Sequence, residues 1–142
     1  MSDWLYNSLP ITENDIDGFL GFVYIITNNI TNKKYIGKKL LKFSRKKSVK
    51  GKKNKKRVLI DSDWKTYYGS NKELAEDVVK YGEESFTREI LKLCVTKGDC
   101  SYWEAKLQFE NDVLISDQYY NSWIMCKIHK SHIKNISAAT QQ

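Results

Sequence analysis

The sequence predicts one α+β domain, a three-stranded β-sheet with helices packed on it. Three observations predict it. Residues 22–27 (Phe-Val-Tyr-Ile-Ile-Thr) are β-branched and aromatic, and they lead through Asn28, Asn29 and Asn32 into a second short run, 34–37, the pattern of a β-hairpin. Residues 85–94 form a third run without a clean polar face, as a strand buried on both sides does. Two segments, 70–73 and 101–104, open with Ser and place Glu three residues later, the capping signature of a helix. The 142 residues, 41% hydrophobic and 13% aromatic, suffice for one core and are too few for two full domains.

Residues 1–20 hold Asp3, Glu13, Asp15, Asp17 and the only proline, Pro10, with little periodicity, and are expected as an N-terminal arm or short cap. For a hairpin loop centred between Asn29 and Ile30, Tyr24 and Tyr35 stand opposite each other and project from the same face, so two phenols share one surface. Residues 38–57, punctuated by Gly51, Asn54 and two serines, read as a charged loop of no fixed structure. A helix follows over 71–80, with Leu74, Val78 and Val79 as its apolar stripe and Gly82 at its stop. The second helix runs from 101 to about 115 and turns Trp103, Leu107, Val113 and Leu114 toward the sheet. Residues 119–123 are an aromatic turn and 124–142 a basic tail.

The charge has an address. Residues 38–57 carry 12 of the 24 Lys and Arg and no acid, whereas elsewhere 12 basic residues face 17 acidic ones. A basic block on an otherwise mildly acidic chain points to a polyanion, nucleic acid first. Its candidate contacts are Lys38, Lys39, Lys42, Lys46, Lys47, Lys50, Lys52, Lys53, Lys55, Lys56 and Arg57. No run approaches the ~20 apolar residues of a membrane span, residues 1–10 lack the order of a signal peptide, and three cysteines without dense spacing are no disulfide framework. A soluble, cytoplasmic protein with reduced thiols is expected.

Gly21-Phe22-Val23-Tyr24-Ile25, with Lys34-Tyr35-Ile36-Gly37 beginning ten residues after Tyr24, resembles the paired signature of the GIY-YIG nucleases, with Val23 where the name has isoleucine. The order continues. Arg45 stands eight residues after Gly37, where the family places its catalytic arginine; Glu104 opens a late helix where it has its metal-binding glutamate; Asn121 sits where an asparagine follows. The resemblance covers residues 21–123. It implies a nuclease domain over that span with a small antiparallel or mixed β-sheet flanked by helices, cleavage of double-stranded DNA dependent on Mg²⁺ or Mn²⁺, and a site made of Tyr24, Tyr35, Arg45, Glu104 and Asn121. The chain departs from the pattern in three places. The stretch after Arg45 is long and lysine-rich, no histidine follows the arginine, and Trp64-Lys65-Thr66-Tyr67-Tyr68-Gly69 stands where some members carry another catalytic histidine. With no DNA-reading module appended, the resemblance implies a small stand-alone enzyme of phage or mobile-element type, acting in a host cytoplasm, as monomer or homodimer.

Phosphodiester hydrolysis needs an in-line water relieved of its proton, charge stabilisation on the phosphorane and help for the leaving alkoxide. Tyr24 serves as base only if Lys34, Lys38 and Arg45 lower its pKa from ~10, and Tyr35 is the alternative. Arg45 grips two phosphate oxygens with a planar fork, with Arg57 as its competitor. Glu104 holds a cation together with phosphate and water unless it is spent on capping Ser101, and Glu110 is the reserve ligand. Asn121 is also an ordinary turn residue. Cys126, His129 and His132 would hold zinc only with Cys94 or Cys100 as fourth ligand, a spacing that matches no common finger. The rival readings are a structure-specific DNA nickase and a non-catalytic DNA-binding protein that retains the fold, the latter favoured by loss of Arg45 or Glu104, both of which are present.

Overall fold

The computed structural model of the chain describes residues 3–47, 50–51 and 56–133. Its strands are β1 (Trp4–Tyr6), β2 (Leu9–Pro10), β3 (Gly21–Asn28), β4 (Lys34–Leu40), β5 (Lys42–Lys47), β6 (Lys56–Asp61) and β7 (Phe86–Cys94). Five of them make one mixed sheet in the order β2-β1-β7-β3-β4, in which β1 alone runs parallel to its neighbour β7; β5 and β6 pair in a separate ribbon. Helix α1 is Glu13–Ile16, α2 is Lys72–Tyr81 and α3 is Lys97–Glu110. No helix among the described residues is long and apolar enough to cross a membrane.

The α+β class and the three predicted strands are present, but the sheet is larger than three strands. The extra pair comes from residues expected as an arm. Trp4 is 2% exposed, donates from Nε1 to the Trp64 carbonyl at 2.7 Å, and meets Phe22 and Tyr24 edge-on at 5.0 and 5.4 Å between centroids. One large indole thus anchors three residues of strand, too few for a periodic pattern to reveal.

β3, between β7 and β4, carries core on both faces because both are apolar. Phe22, Tyr24 and Ile26 pack with Trp4, Trp64, Leu74 of α2, Phe86 and Ile90 on one side. Val23 packs with Ile36, Cys94, Cys100 and Val113 on the other, against Trp103 and Leu107 of α3. The missing polar face of β7 has two causes. Its pairing slips between Val23 and Tyr24, which meet Lys92 and Ile90, so the alternation changes phase at a bulge. Arg88 moreover lies buried among the apolar residues, its guanidinium 4.7 Å from the Trp4 ring and 4.2 Å from the Tyr68 ring, donating to the carbonyls of Lys65 (3.1 Å) and Tyr67 (2.8 Å). Arg88→Met should lower the unfolding free energy by about 2–4 kcal/mol in urea titrations, since it leaves two carbonyls without this donor. A loss under ~0.5 kcal/mol would mean that the carbonyls find other partners.

Most described residues of the basic stretch are strand rather than loop. Lys42 to Lys47 pair antiparallel with Lys56 to Asp61, Phe43 opposite Ile60 and Arg45 opposite Val58. A free-standing ribbon leaves its faces wet, so high charge does not forbid it. Buried Leu41 and the Ser62 amide, which donates to the Leu41 carbonyl at 2.9 Å, tie it to the core. Both long helices begin elsewhere than the Ser-x-x-Glu signatures predict. Asn71, not Ser70, caps α2, accepting from the Leu74 amide, and Val79 is exposed. Thr96 caps α3, accepting from Asp99, so α3 starts four residues before Ser101 and ends at Glu110 rather than 115.

Candidate active site

The hairpin register differs by two residues from the expected one. Tyr24 pairs with Gly37 and Tyr35 with Ile26, so the tyrosines share a face but stand diagonally, ring centroids 6.2 Å apart. Gly37 is required there. A Cβ on it would lie 2.5 Å from Tyr24 Oη and 2.9 Å from Tyr35 Cε2, so the first phenol passes over the second motif's glycine. The two phenols consequently have different fates. Tyr24 is fully buried and its Oη has no hydrogen-bond partner among the described residues. Tyr35 instead reaches a cleft of about 250 Å³, where its Oη lies 3.2 Å from Ser70 Oγ.

Glu104 enters the same cleft from α3. Because the helix begins at Lys97, Glu104 is two turns inside it and free of any cap, which removes the conflict foreseen between capping and ligation. Its side chain is 15% exposed, with Lys38 Nζ at 3.9 Å; Lys38 in turn donates to Ser101 Oγ at 2.7 Å. One turn on, Gln108 also lines the cleft and donates to the Ile36 carbonyl at 2.9 Å. Asn121 is clamped to the same peptide, accepting from Ile36 N–H at 3.1 Å and donating to Ile36 carbonyl at 2.8 Å. With Lys34 N–H on the Gln118 carbonyl and Tyr120 N–H on the Lys34 carbonyl, residues 118–121 cover the outer edge of β4.

Burial, not cations, dominates the titration of these groups. It pushes the Tyr24 phenol well above its usual value, with the neighbouring Tyr67 and Tyr35 adding to the effect. It raises Tyr35 too, against the hydrogen bond from Ser70. Glu104 is likewise raised by burial and partly restored by Lys38. The condition set for Tyr24 as base, a pKa lowered by Lys34, Lys38 and Arg45, finds no support in these directions. The low-dielectric site around the ring outweighs charges whose ammonium groups lie in water or in other ion pairs, as Lys39 does at 2.6 Å from Asp63.

Tyr35, Lys38, Glu104 and Asn121 thus meet at one cleft, and Tyr24 lies behind it. Arg45, Lys46, Lys47, Lys56 and Arg57 are placed by backbone only, on the ribbon; Lys52, Lys53 and Lys55 lie outside the described residues. Lys42 and Lys50 are exposed. Glu110 is no reserve ligand: six residues beyond Glu104 it points elsewhere and lies 4.0 Å from Lys106. The imidazoles of the tail serve local turns, His129 Nδ1 with Ser131 and His132 Nδ1 accepting from the His129 amide, and among the described residues no three His, Cys, Asp or Glu gather to hold a metal. Sequence reasoning missed Ser70 and Gln108. The spacing of Gln108, four after Glu104 on one helix face, was the signal for it.

A hairpin that sets a phenol and an ammonium opposite a helix-borne glutamate, with a cationic ribbon continuing from the same strand, defines a small domain of the nuclease class. The family described as "Putative endonuclease segE, GIY-YIG domain" matches residues 4–124, and the chain belongs to it. The protein of Enterobacteria phage T4 carrying that endonuclease name is 33% identical over 100 residues, 70% of this chain. The aligned part is 39% of that relative's length. No solved structure matches.

Proposed function

We propose that the chain is a divalent-metal-dependent endonuclease that hydrolyses phosphodiester bonds in double-stranded DNA, with Tyr35, Arg45 and Glu104 acting on the phosphate. The observation that carries this reading is the convergence of Tyr35, Lys38, Ser70 and Glu104 on one cleft in a chain of a nuclease family. Glu104 suits a cation: it is a single carboxylate, mostly buried and not spent on a cap, and Mg²⁺ commonly takes one or two carboxylates with phosphate and waters completing its shell. When bound there, Mg²⁺ or Mn²⁺ would supply charge for the phosphorane oxygens and lower the pKa of a bound water.

The chain's own groups do the rest. Tyr35 Oη and Ser70 Oγ form a polar pair that orients the attacking water. Lys38 meets a non-bridging oxygen and keeps Glu104 ionised. Arg45 brings a bidentate fork from β5. Asn121 and Gln108 hold the Ile36 peptide, and with it the strand that carries Tyr35 and Lys38, so their role is positioning. Supercoiled plasmid incubated with and without Mg²⁺ or Mn²⁺ tests the proposal. Conversion to open-circular or linear DNA that depends on the ion supports it, open circles alone identify a nickase, and an intact plasmid under both ions overturns it. The setting on this reading is the cytoplasm, that of a host if the chain is phage-encoded.

The ribbon and its connecting residues supply sequence-independent affinity through phosphate contacts. If six cations each neutralise one phosphate, log affinity should fall against log salt with a slope near −5, at roughly −0.9 per contact. Replacing Lys52, Lys53, Lys55 and Lys56 by Gln should flatten it by about 3 to 4 units in fluorescence anisotropy across a salt series. An unchanged slope would make this segment a bystander.

A further inference from the structure

One wall of the cleft takes no part in the hydrolytic chemistry. Trp123 and Met125 line it, yet they are 64% and 62% exposed. The other tryptophans are occupied: Trp4 and Trp64 are core residues, and Trp103 has the ammonium groups of Lys92 and Lys106 over its ring at 4.7 and 5.0 Å. The exposed indole is nevertheless not on a loose segment. Tyr120, three residues earlier, is buried and donates to Asp77 at 2.6 Å, and Asn121 is clamped at both ends to Ile36. The backbone therefore presents an apolar ring to water beside a cleft that Lys38, Ser70 and Glu104 also line.

A flat aromatic beside a phosphate-binding cleft fits the face of a nucleobase, and such stacking tolerates any base because each has a π-face. In an intact duplex those faces are covered by neighbours, whereas an unpaired or extruded base offers one, and extrusion costs least where pairing is already broken. We propose that Trp123 stacks on an unpaired base next to the scissile phosphate, so that the favoured substrate is duplex DNA bearing an unpaired or readily extruded nucleotide. This rests on the nuclease reading above and names its substrate class. Trp123 is then a specificity-determining residue, and no bond is made or broken through it.

The test uses the full chain carrying Glu104→Gln, with a matched duplex and the same duplex bearing a two-nucleotide bulge, in anisotropy titrations that also record tryptophan emission. The bulged duplex should bind on the order of 10-fold more tightly and quench emission. Adding Trp123→Ala should abolish both the preference and the quenching while leaving matched-duplex affinity unchanged, and Trp123→Phe should keep part of the preference. Equal affinity for the two duplexes, or a preference that survives Trp123→Ala, would overturn the inference, the latter result leaving the exposed wall to some other partner. Cleavage is scored separately on the unaltered chain. Cutting of both duplexes without preference sinks the stacking inference and keeps the nuclease, whereas preferential binding without cutting under either ion sinks the nuclease and keeps the stacking.

Discussion

Glu104→Gln is expected to bind DNA and fail to cut it, with cleavage falling on the order of 10³-fold or more in single-turnover assays at saturating Mg²⁺. The substitution keeps the shape of the side chain inside α3, so folding is preserved and the loss reports the carboxylate. The same group should write its titration into the pH profile. Only the ionised carboxylate is competent, and burial raises its pKa, so activity should be lost on acidification at a higher pH than an ordinary glutamate would dictate. Lys38 opposes that rise; Lys38→Met should therefore move the acidic limb further up in pH. Near-normal turnover by Glu104→Gln would place the cation elsewhere, and a limb that ignores Lys38 would assign it to another group.

Tyr35→Phe is expected to slow cleavage by on the order of 10²-fold, the cost of a misplaced nucleophile, while leaving DNA affinity nearly intact. Tyr24→Phe should behave in the opposite sense. Among the described residues its buried hydroxyl has no hydrogen-bond partner, so removing it spares a desolvated polar atom, and thermal denaturation should show equal or greater stability with less than about tenfold loss of rate. The contrast is informative because the sequence alone ranks Tyr24 as the base and Tyr35 as the alternative. If Tyr24→Phe proves the more damaging, the base is the buried phenol, and the cleft must open past Gly37 to admit water to it.

Much of this organisation is legible in the residues themselves. The hairpin, β7, α2 and α3 follow from β-branched runs and apolar spacing, and the motif order brings Tyr35, Glu104 and Asn121 to one place. What the sequence hides has physical reasons. The register slips by two because Asn28 organises its own turn, its Oδ1 accepting from the Ile30 and Thr31 amides, which moves the loop centre toward Thr31. β5 and β6 are concealed because cationic residues are poor strand formers in isolation, and the pairing draws on Val58, Leu59 and Ile60 across the ribbon. Arg88 is concealed because nothing in a charge pattern announces two aromatic rings and two carbonyls waiting around a strand position. Asn121 lines the cleft, as the motif order implies, and its amide also holds the backbone of β4 through Ile36.

The clamp of Asn121 on Ile36 also bears on when the cleft is completed as the chain is made. The two residues are 85 apart in sequence, and Gln108 reaches the same peptide across 72. Contacts at such separations form late, after the long intervening loop has been closed. A chain whose synthesis stops before residue 118 therefore carries both motif tyrosines and Glu104 but leaves the outer edge of β4 bare. On the proposed reading, such a chain should fail to nick supercoiled plasmid, because the strand that carries Tyr35 and Lys38 lacks the Asn121 clamp.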